Sequence, residues 1–304
     1  MKTMPIEPQN KILILGGTGM LGHILLRYLY ENTKFDVFAT ARNIEEIHKY
    51  FPPELASRFW RDNVDVGNFD SISHALSTIK PDIVINCIGI IKQLPVANDP
   101  LTTITVNAQF PHRIAQISRD IGARVIHIST DCVFDGKKGM YTEDDIPSAD
   151  DLYGRTKILG EISYPHCVTL RTSMIGHELK GQYGLVEWFL GQTDTVQGYK
   201  NVIYSGFPTI VLSSIIHKYV LPIPGLNGIY HISSAPISKF DLLGLIAEKY
   251  GKKIDIEPYE DFVQDRSLKS DRFHALTDYV SPAWPELIDA MYEDYEAHKR
   301  QYYR

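Results

Sequence analysis

Short apolar runs alternate with amphipathic stretches through the first half of the chain. Lys11–Leu15 (KILIL) places four apolar residues in a row, which is too short for a helix and suits a strand buried on both faces. Met20–Tyr30 follows as an apolar-rich helical stretch. Asp36–Thr40 (DVFAT) reads as a second strand, and a third is expected to end near Asn63–Val66, beyond Pro52-Pro53. Ile83–Ile88, after the Pro81-Asp82 turn, is a fourth, and Arg124–Ser129 (RVIHIS) a fifth. Between those two runs a helical stretch from about Leu101 to Ile121, closed by Gly122. Strand and helix repeated in this way predict an α/β fold, a doubly wound parallel sheet.

Past Glu161 the pattern changes. Val168–Arg171 is a sixth strand, but the stretch holding Trp188, Phe189 and Tyr199 fits no strand-helix-strand period, and those aromatics are expected as core of a second lobe. A helix at about Thr209–Tyr219 and a strand at Gly228–Ser233 return to the first architecture, before a mainly helical, acidic and aromatic tail. The second lobe is therefore interleaved with the first.

Composition narrows the class. At 304 residues, 44% of them apolar, the chain can bury a large core, and its net charge of −6 argues against a broad nucleic-acid surface. Cys87, Cys132 and Cys167 are odd in number and widely spaced, which excludes a disulfide framework and a metal knuckle and points to a reducing, cytoplasmic setting. No H-x-H or HExxH pair is present among the eleven histidines, so no metal site is expected, and His127 and His231 read as strand histidines. Met1–Asn10 has no apolar leader core, and Ile83–Ile91 is too short to span a bilayer, so no membrane partner is expected.

Gly16-Gly17-Thr18-Gly19-Met20-Leu21-Gly22 follows the first strand and opens the first helix, satisfying both G-x-x-G-x-x-G and G-x-G-x-x-G spacing. Glycines there let the backbone approach a pyrophosphate, which the helix N-terminus then binds. The loop predicts a dinucleotide-binding Rossmann domain of residues 1–170 plus roughly 206–234, with a smaller C-terminal substrate lobe of roughly 171–205 plus 235–304. An NAD site usually carries an acid about 20 residues beyond the loop. This chain has Thr40-Ala41-Arg42 there, and a guanidinium suits a 2′-phosphate, so NADPH is favoured over NADH unless Arg42 is only a solvated helix-leading residue. Asp65, with Val66 after it, either receives an adenine amino group or is a turn aspartate.

Tyr153 and Lys157 stand four residues apart and share a face if helical, either a surface pair or a phenol tuned by an ammonium for proton exchange. Ser129-Thr130-Asp131 ends the fifth strand, where open parallel sheets bind ligands, and the Thr130 hydroxyl can bond the oxygen that Tyr153 protonates. Pro111 has no N–H, so the Asn107 carbonyl four residues earlier lacks its helical partner. Either a water held there links Lys157 to solvent, or the helix kinks around a solvated carbonyl. Arg266 is a candidate for a substrate diphosphate or a surface ion pair.

Together the loop GGTGMLG, Asn107, Thr130, Tyr153 and Lys157 resemble the extended short-chain dehydrogenase/reductases. Within them, Ser129–Glu161 (STDCVFDGKKGMYTEDDIPSADDLYGRTKILGE) is similar to the dTDP-4-dehydrorhamnose reductase family, whose pattern is STDYVFDG, Y-x-E-x-D and YG-x-[ST]-K-x-x-GE. Tyr141, Glu143 and Asp145 match the middle element, and Leu170–Ser173, Phe207–Thr209 and Gly228–His231 extend the likeness from about Lys11 to Tyr250. The resemblance implies NADPH-dependent reduction of a nucleoside-diphosphate 4-keto-6-deoxy sugar at carbon 4, with Tyr153 as acid, Thr130 polarising the carbonyl and Lys157 holding the nicotinamide ribose. It also implies a role in supplying deoxysugars for polysaccharide. Cys132 departs from the family's aromatic, Met174 from a Trp common after RTS, and Cys87-Ile88-Gly89 from a run of small residues. These positions are expected to line the sugar and nicotinamide pockets, with Asp131 beside them.

Three other roles fit the same fold. A 4,6-dehydratase resembles T-D-E where this chain has Thr130-Asp131-Cys132, and a retained-NAD⁺ epimerase fits poorly with Arg42 in place of an acid. A non-catalytic NADP-binding regulatory subunit would keep the glycines without the chemistry. Assembly as a homodimer is left open by the sequence.

Overall fold

The computed structural model describes residues 10–60 and 63–302. The amino-terminal segment read above for leader signals, up to Gln9, lies outside the described residues.

Six strands and the helices between them build the first half. The strands are β1 (Lys11–Leu15), β2 (Asp36–Thr40), β3 (Phe59–Trp60), β4 (Ile83–Asn86), β5 (Arg124–Thr130) and β6 (Cys167–Thr172). The helices are α1 (Met20–Asn32), α2 (Ile44–Tyr50), α3 (Pro53–Ala56), α4 (Phe69–Ile79), α5 (Pro100–Thr103), α6 (Phe110–Asp120) and α7 (Leu152–Leu159). Beyond them lie β7 (Met174–Ile175), α8 (Leu185–Gly191), β8 (Val196–Tyr199), β9 (Val202–Tyr204), β10 (Phe207–Pro208), α9 (Thr209–Ile215) and β11 (Gly228–His231). The chain ends with β12 (Ile237–Ser238), α10 (Lys239–Tyr250), β13 (Ile256–Tyr259), β14 (Gln264–Asp265), α11 (Asp271–Thr277) and α12 (Trp284–Tyr302).

The central sheet runs β11-β6-β5-β4-β1-β2-β3, and every pair in it is parallel. This is the Rossmann-like α/β order, with β11 returning late in the chain to the edge beside β6. Because side chains alternate across a strand, β1 feeds two cores. Ile12 and Ile14 pack with Leu25 of α1, Leu212 of α9 and Leu287 of α12, whereas Leu13 and Leu15 pack with Leu76 of α4 and Ile114 of α6. Arg27, buried in α1, fixes α12 through both carboxylate oxygens of Asp294 at 2.6 and 2.7 Å. The later segments form β12-β9-β14, β13-β8 and β10-β7.

Three departures from the expected elements have physical causes. The third strand is Phe59–Trp60, not a run ending at 63–66: Val64 is held by one bond from its N–H to the Ala41 carbonyl (3.1 Å), and Val64 and Val66 are buried with Ile72 of α4 instead of in a ladder. The helix expected over 101–121 contains a π-helical stretch, Ile104–Gln109. There the Phe110 N–H reaches back to the Thr105 carbonyl, a widened turn next to Pro111, which has no N–H to offer. The helix from Thr209 likewise passes into a π-helical stretch, Ile216–Val220, just before Pro222.

Candidate active site

Strand order reverses between β1 and β4, and at their carboxyl ends a cavity of about 1390 Å³ opens. Gly16, Thr18, Gly19, Met20, Leu21, Arg42, Asp65, Val66, Cys87, Ile88, Gly89 and Lys157 all line it, so of the expected cofactor residues only Gly22 stands behind the wall. Gly22 is there for packing: a Cβ on it would lie 2.1 Å from the Gly16 carbonyl oxygen. Gly16 itself has φ +85°, a conformation that favours glycine. No side chain caps the N-terminus of α1 and no acid lies in its first turn, so its leading N–H groups and positive dipole end are free to meet a phosphate. The cradle therefore fits a dinucleotide pyrophosphate. Arg42 is exposed at the cavity wall and makes no ion pair with any described residue. Asp65 accepts the Gly67 N–H at 2.7 Å, so it is a turn residue that also lines the cavity.

At the end of β5 the catalytic candidates converge. Asp151 caps α7 by accepting the Gly154 N–H at 2.7 Å, and a Cβ on Gly154 would lie 2.5 Å from the Cys132 carbonyl oxygen. That close approach brings Tyr153 to the same wall of the cavity as Thr130. Burial pushes the Tyr153 phenol up, Cys132 and Asp131 add to this, and the nearby Thr130 hydroxyl opposes it. The phenol is thus held as an acid, with burial outweighing the tuning by Lys157 expected from spacing. Lys157 instead donates to the Ile128 carbonyl at 2.9 Å, and burial lowers its ammonium to about 8. Both Cys87 and Cys132 are pushed up to about 12 by burial, which keeps them as neutral thiols.

Asn107 lies behind this wall. Its side chain accepts the Ile90 N–H at 2.9 Å and donates to the Ile90 carbonyl at 3.1 Å, fixing the Cys87–Gly89 floor from below. Its main-chain carbonyl lies against Gly160, where a Cβ would come within 1.9 Å of the oxygen. The carbonyl that Pro111 frees is therefore covered by the end of α7.

Beyond Thr130 the cavity is polar. Asp131 is buried and bonded to the Thr130 hydroxyl at 3.1 Å. Arg266 donates to the Phe134 carbonyl at 2.9 Å and to the Cys132 sulfur at 3.4 Å, so it belongs to the cavity and not to a surface ion pair. Met174 lines the same space. Sequence reading missed Lys239 and Tyr204, which line it too, and the segment from Glu178 to Leu185 that borders it. Lys239 carries no local signal, because after the N-cap Ser238 it looks like any helix-opening lysine.

Glu161 was noted only as part of a motif. It receives two bonds from Arg171, both 2.7 Å, and one from the Ser129 hydroxyl at 2.9 Å, tying the end of α7 to β5 and β6. Arg171 also donates to His231 Nε2 at 3.2 Å, and burial with that neighbouring cation lowers His231 to about 4. Among the described residues no three His, Cys, Asp or Glu side chains are grouped to hold a metal, and no helix is long and apolar enough to cross a membrane.

This sheet order, the glycine loop at its switch point, and Thr130, Tyr153 and Lys157 at the strand ends define an extended short-chain dehydrogenase/reductase-like chain. More narrowly, the chain belongs to the family described as RmlD substrate binding domain, whose sequence profile matches residues 10–296. It is 26% identical over 256 residues to a dTDP-4-dehydrorhamnose reductase of Aggregatibacter actinomycetemcomitans, covering 80% of this chain and 81% of that one. To the spore coat polysaccharide biosynthesis protein SpsK of Bacillus subtilis (strain 168) it is 28% identical over 253 residues, 80% of each. A shorter match, 29% over 154 residues, is to methionine adenosyltransferase 2 subunit beta of Bos taurus. It takes in 51% of this chain and 42% of the subunit, so the chain spans less than half the length of those relatives. The fold agrees with that of a dTDP-4-dehydrorhamnose reductase from Bacillus anthracis str. Ames, solved in complex with NADP, at a TM-score of 0.77 and 20% identity over 94% of this chain and 99% of that one.

Proposed function

We propose that the chain is an NADPH-dependent reductase of a nucleoside-diphosphate 4-keto-6-deoxy sugar, acting in the supply of deoxysugars for polysaccharide. The observation that carries this reading is that Thr130, Tyr153 and Lys157 together line the cavity that the glycine loop opens. Similarity to the reductase and to SpsK supports the substrate class. The division into a dinucleotide-binding part and an interleaved substrate lobe belongs to the same proposal.

The reduced dinucleotide would be held by the Gly16–Gly22 loop and Arg42, and would supply a hydride to carbon 4 of the sugar. Thr130 and Tyr153 meet the carbonyl oxygen, the first donating a hydrogen bond and the second its proton, so that developing negative charge on oxygen is stabilised as it forms. The raised phenol suits this direction, because an acid must still hold its proton at the operating pH. Lys157 holds the nicotinamide ribose from the Ile128 side, and Asn107 positions the floor through Ile90. Met174, Cys132 and Asp131 shape the sugar pocket.

The test is loss of NADPH absorbance with dTDP-, UDP- and GDP-linked 4-keto-6-deoxy sugars, beside Tyr153→Phe. Turnover on one carrier that falls by about 10²–10⁴ in the variant supports the reading. A second reading, a non-catalytic NADP-binding subunit, is favoured by the likeness to methionine adenosyltransferase 2 subunit beta. Tight NADPH binding with no turnover on the whole panel would favour it over the reductase.

A further inference from the structure

His177 takes no part in the chemistry above, yet it is buried and bonded at both ring nitrogens. It lies just past β7, and its Nδ1 meets the carboxylate of Glu187, ten residues further on in the first turn of α8, at 2.6 Å. Its Nε2 meets the hydroxyl of Tyr250, the last residue of α10, at 2.8 Å, and its ring stacks on Tyr295 of α12 with centroids 4.0 Å apart. A carboxylate only accepts, so Nδ1 carries the proton and, in the neutral ring, Nε2 accepts from the tyrosine. Three helices thus converge on one imidazole.

What His177 and Glu187 close off at its base is the strap of residues 178–185. From it Leu179, Lys180, Tyr183 and Leu185 line the cavity. An inner tie runs from the Gly184 N–H to the Glu178 carboxylate at 2.8 Å, and Gly181 turns the strap at φ +87°. The strap comes up against the glycine loop, since a Cβ on Gly184 would lie 3.4 Å from the Met20 sulfur. That loop is itself pinned by a buried histidine, His23, which donates from Nδ1 to the Gly19 carbonyl at 2.8 Å. The strap follows β6 and β7, so it reaches Met20 from the side where Thr130 and Lys157 lie, whereas Arg42 and Asp65 stand beyond β1 on the β2 side. With the nicotinamide beside Lys157, as proposed above, the strap borders the nicotinamide half of the dinucleotide and not the adenine half. A strap already tied in place costs less to order when the cofactor binds.

We propose that His177 is a positioning residue for the nicotinamide half of the dinucleotide, holding the strap of residues 178–185 closed at its base so that the cofactor leaves slowly. This rests on the reading that the nicotinamide lies beside Lys157, and it does not depend on which sugar is reduced. The bond to Glu187 is the working contact, because it joins the two ends of the strap, while Tyr250 and Tyr295 fix the imidazole that makes it.

The experiment is stopped-flow release of NADPH from the whole chain, followed by cofactor fluorescence, beside equilibrium titration with 2′,5′-ADP, which carries the adenine half alone. Wild type is compared with His177→Phe, which keeps a ring to stack on Tyr295 and loses both hydrogen bonds, and with His177→Gln, which can still donate to Glu187. The strap predicts NADPH release at least about tenfold faster in His177→Phe and part of that recovered in His177→Gln, with 2′,5′-ADP affinity kept within about twofold in both. The 2′,5′-ADP affinity also reports that each variant is folded. Release unchanged within about twofold in His177→Phe overturns the proposal, and so does an equal weakening of 2′,5′-ADP, which a merely structural role produces. Should His177→Phe not fold, Glu187→Ala at the part-exposed partner must give the same split between the two ligands, and its absence overturns the proposal too. Keto-sugar turnover enters none of these readouts, so a chain inactive on every sugar sinks the reductase and leaves the strap standing.

Discussion

Glu161 and Arg171 form a buried ion pair through two 2.7 Å bonds, one turn beyond Lys157 on the segment that carries Tyr153. The third bond to that carboxylate comes from Ser129, the neighbour of Thr130 in β5. The pair therefore ties the helix that carries Tyr153 to the strand that carries Thr130. Removing one member of such a pair leaves a buried charge without compensation, a cost of about 3–5 kcal/mol. Glu161→Ala should lose about that much in urea unfolding. A loss under about 1 kcal/mol would show that the pair does not anchor α7.

Lys157 supplies a pH dependence with a definite sign. Burial lowers its ammonium from 10.5 to about 8, so between those values the unfolded chain holds a proton that the native chain has released. Native stability from this group therefore rises with pH through that window, while below pH 8 both states are charged and the burial penalty is fully present. If the ammonium holds the ribose, kcat/KM must fall as pH rises through about 8. Rate profiles and urea midpoints across that range check both signs, and Lys157→Met should flatten the stability trend.

Arg42 is expected to set the choice between phosphorylated and plain dinucleotide. Its exposed guanidinium has no described partner, and no carboxylate ends β2. Arg42→Asp should weaken NADPH by about ten- to a hundredfold, the worth of one or two charge-assisted bonds, and leave NADH affinity equal or better. Fluorescence titration of both cofactors measures this, and an unchanged ratio would remove Arg42 from the site.

Gly160 tests the packing behind the floor. An alanine there brings Cβ to 1.9 Å from the Asn107 carbonyl and 3.3 Å from Pro111, and the first contact is backbone that no rotamer change can relieve. Gly160→Ala should cost at least about 1–3 kcal/mol and lower kcat by displacing Tyr153 and Lys157 together. A variant with native melting and native kcat would contradict the tight seat described for α7.

Much of this was legible in the residues. β1 and β2 match the expected bounds because short apolar runs, four residues in KILIL and three in DVFAT, suit a buried strand once glycine and helix signals flank them. Tyr153 with Lys157, and the glycine loop, rest on local spacing that the sequence displays directly, and the structure places both in one cavity with Thr130. Val64 and Val66 misled for the same reason: their alternation is strand-like, but burial under α4 explains it equally well. The π-helical stretch over 104–109 adds one residue to a turn, a shift that the apolar period does not register. Glu161 with Arg171 is a meeting of the end of α7 with β6, and no local pattern announces it.

The central claim is that this cavity delivers a hydride to carbon 4 of a nucleotide-linked keto sugar while Tyr153 protonates the oxygen. Its most direct measurement is the fate of deuterium from 4-deuterated NADPH, followed by NMR of the sugar product. The account predicts label at carbon 4 in one stereochemical configuration, and loss of labelling in Tyr153→Phe despite native NADPH affinity. Label absent from the sugar on every carrier, or labelling that survives intact in Tyr153→Phe, would contradict it.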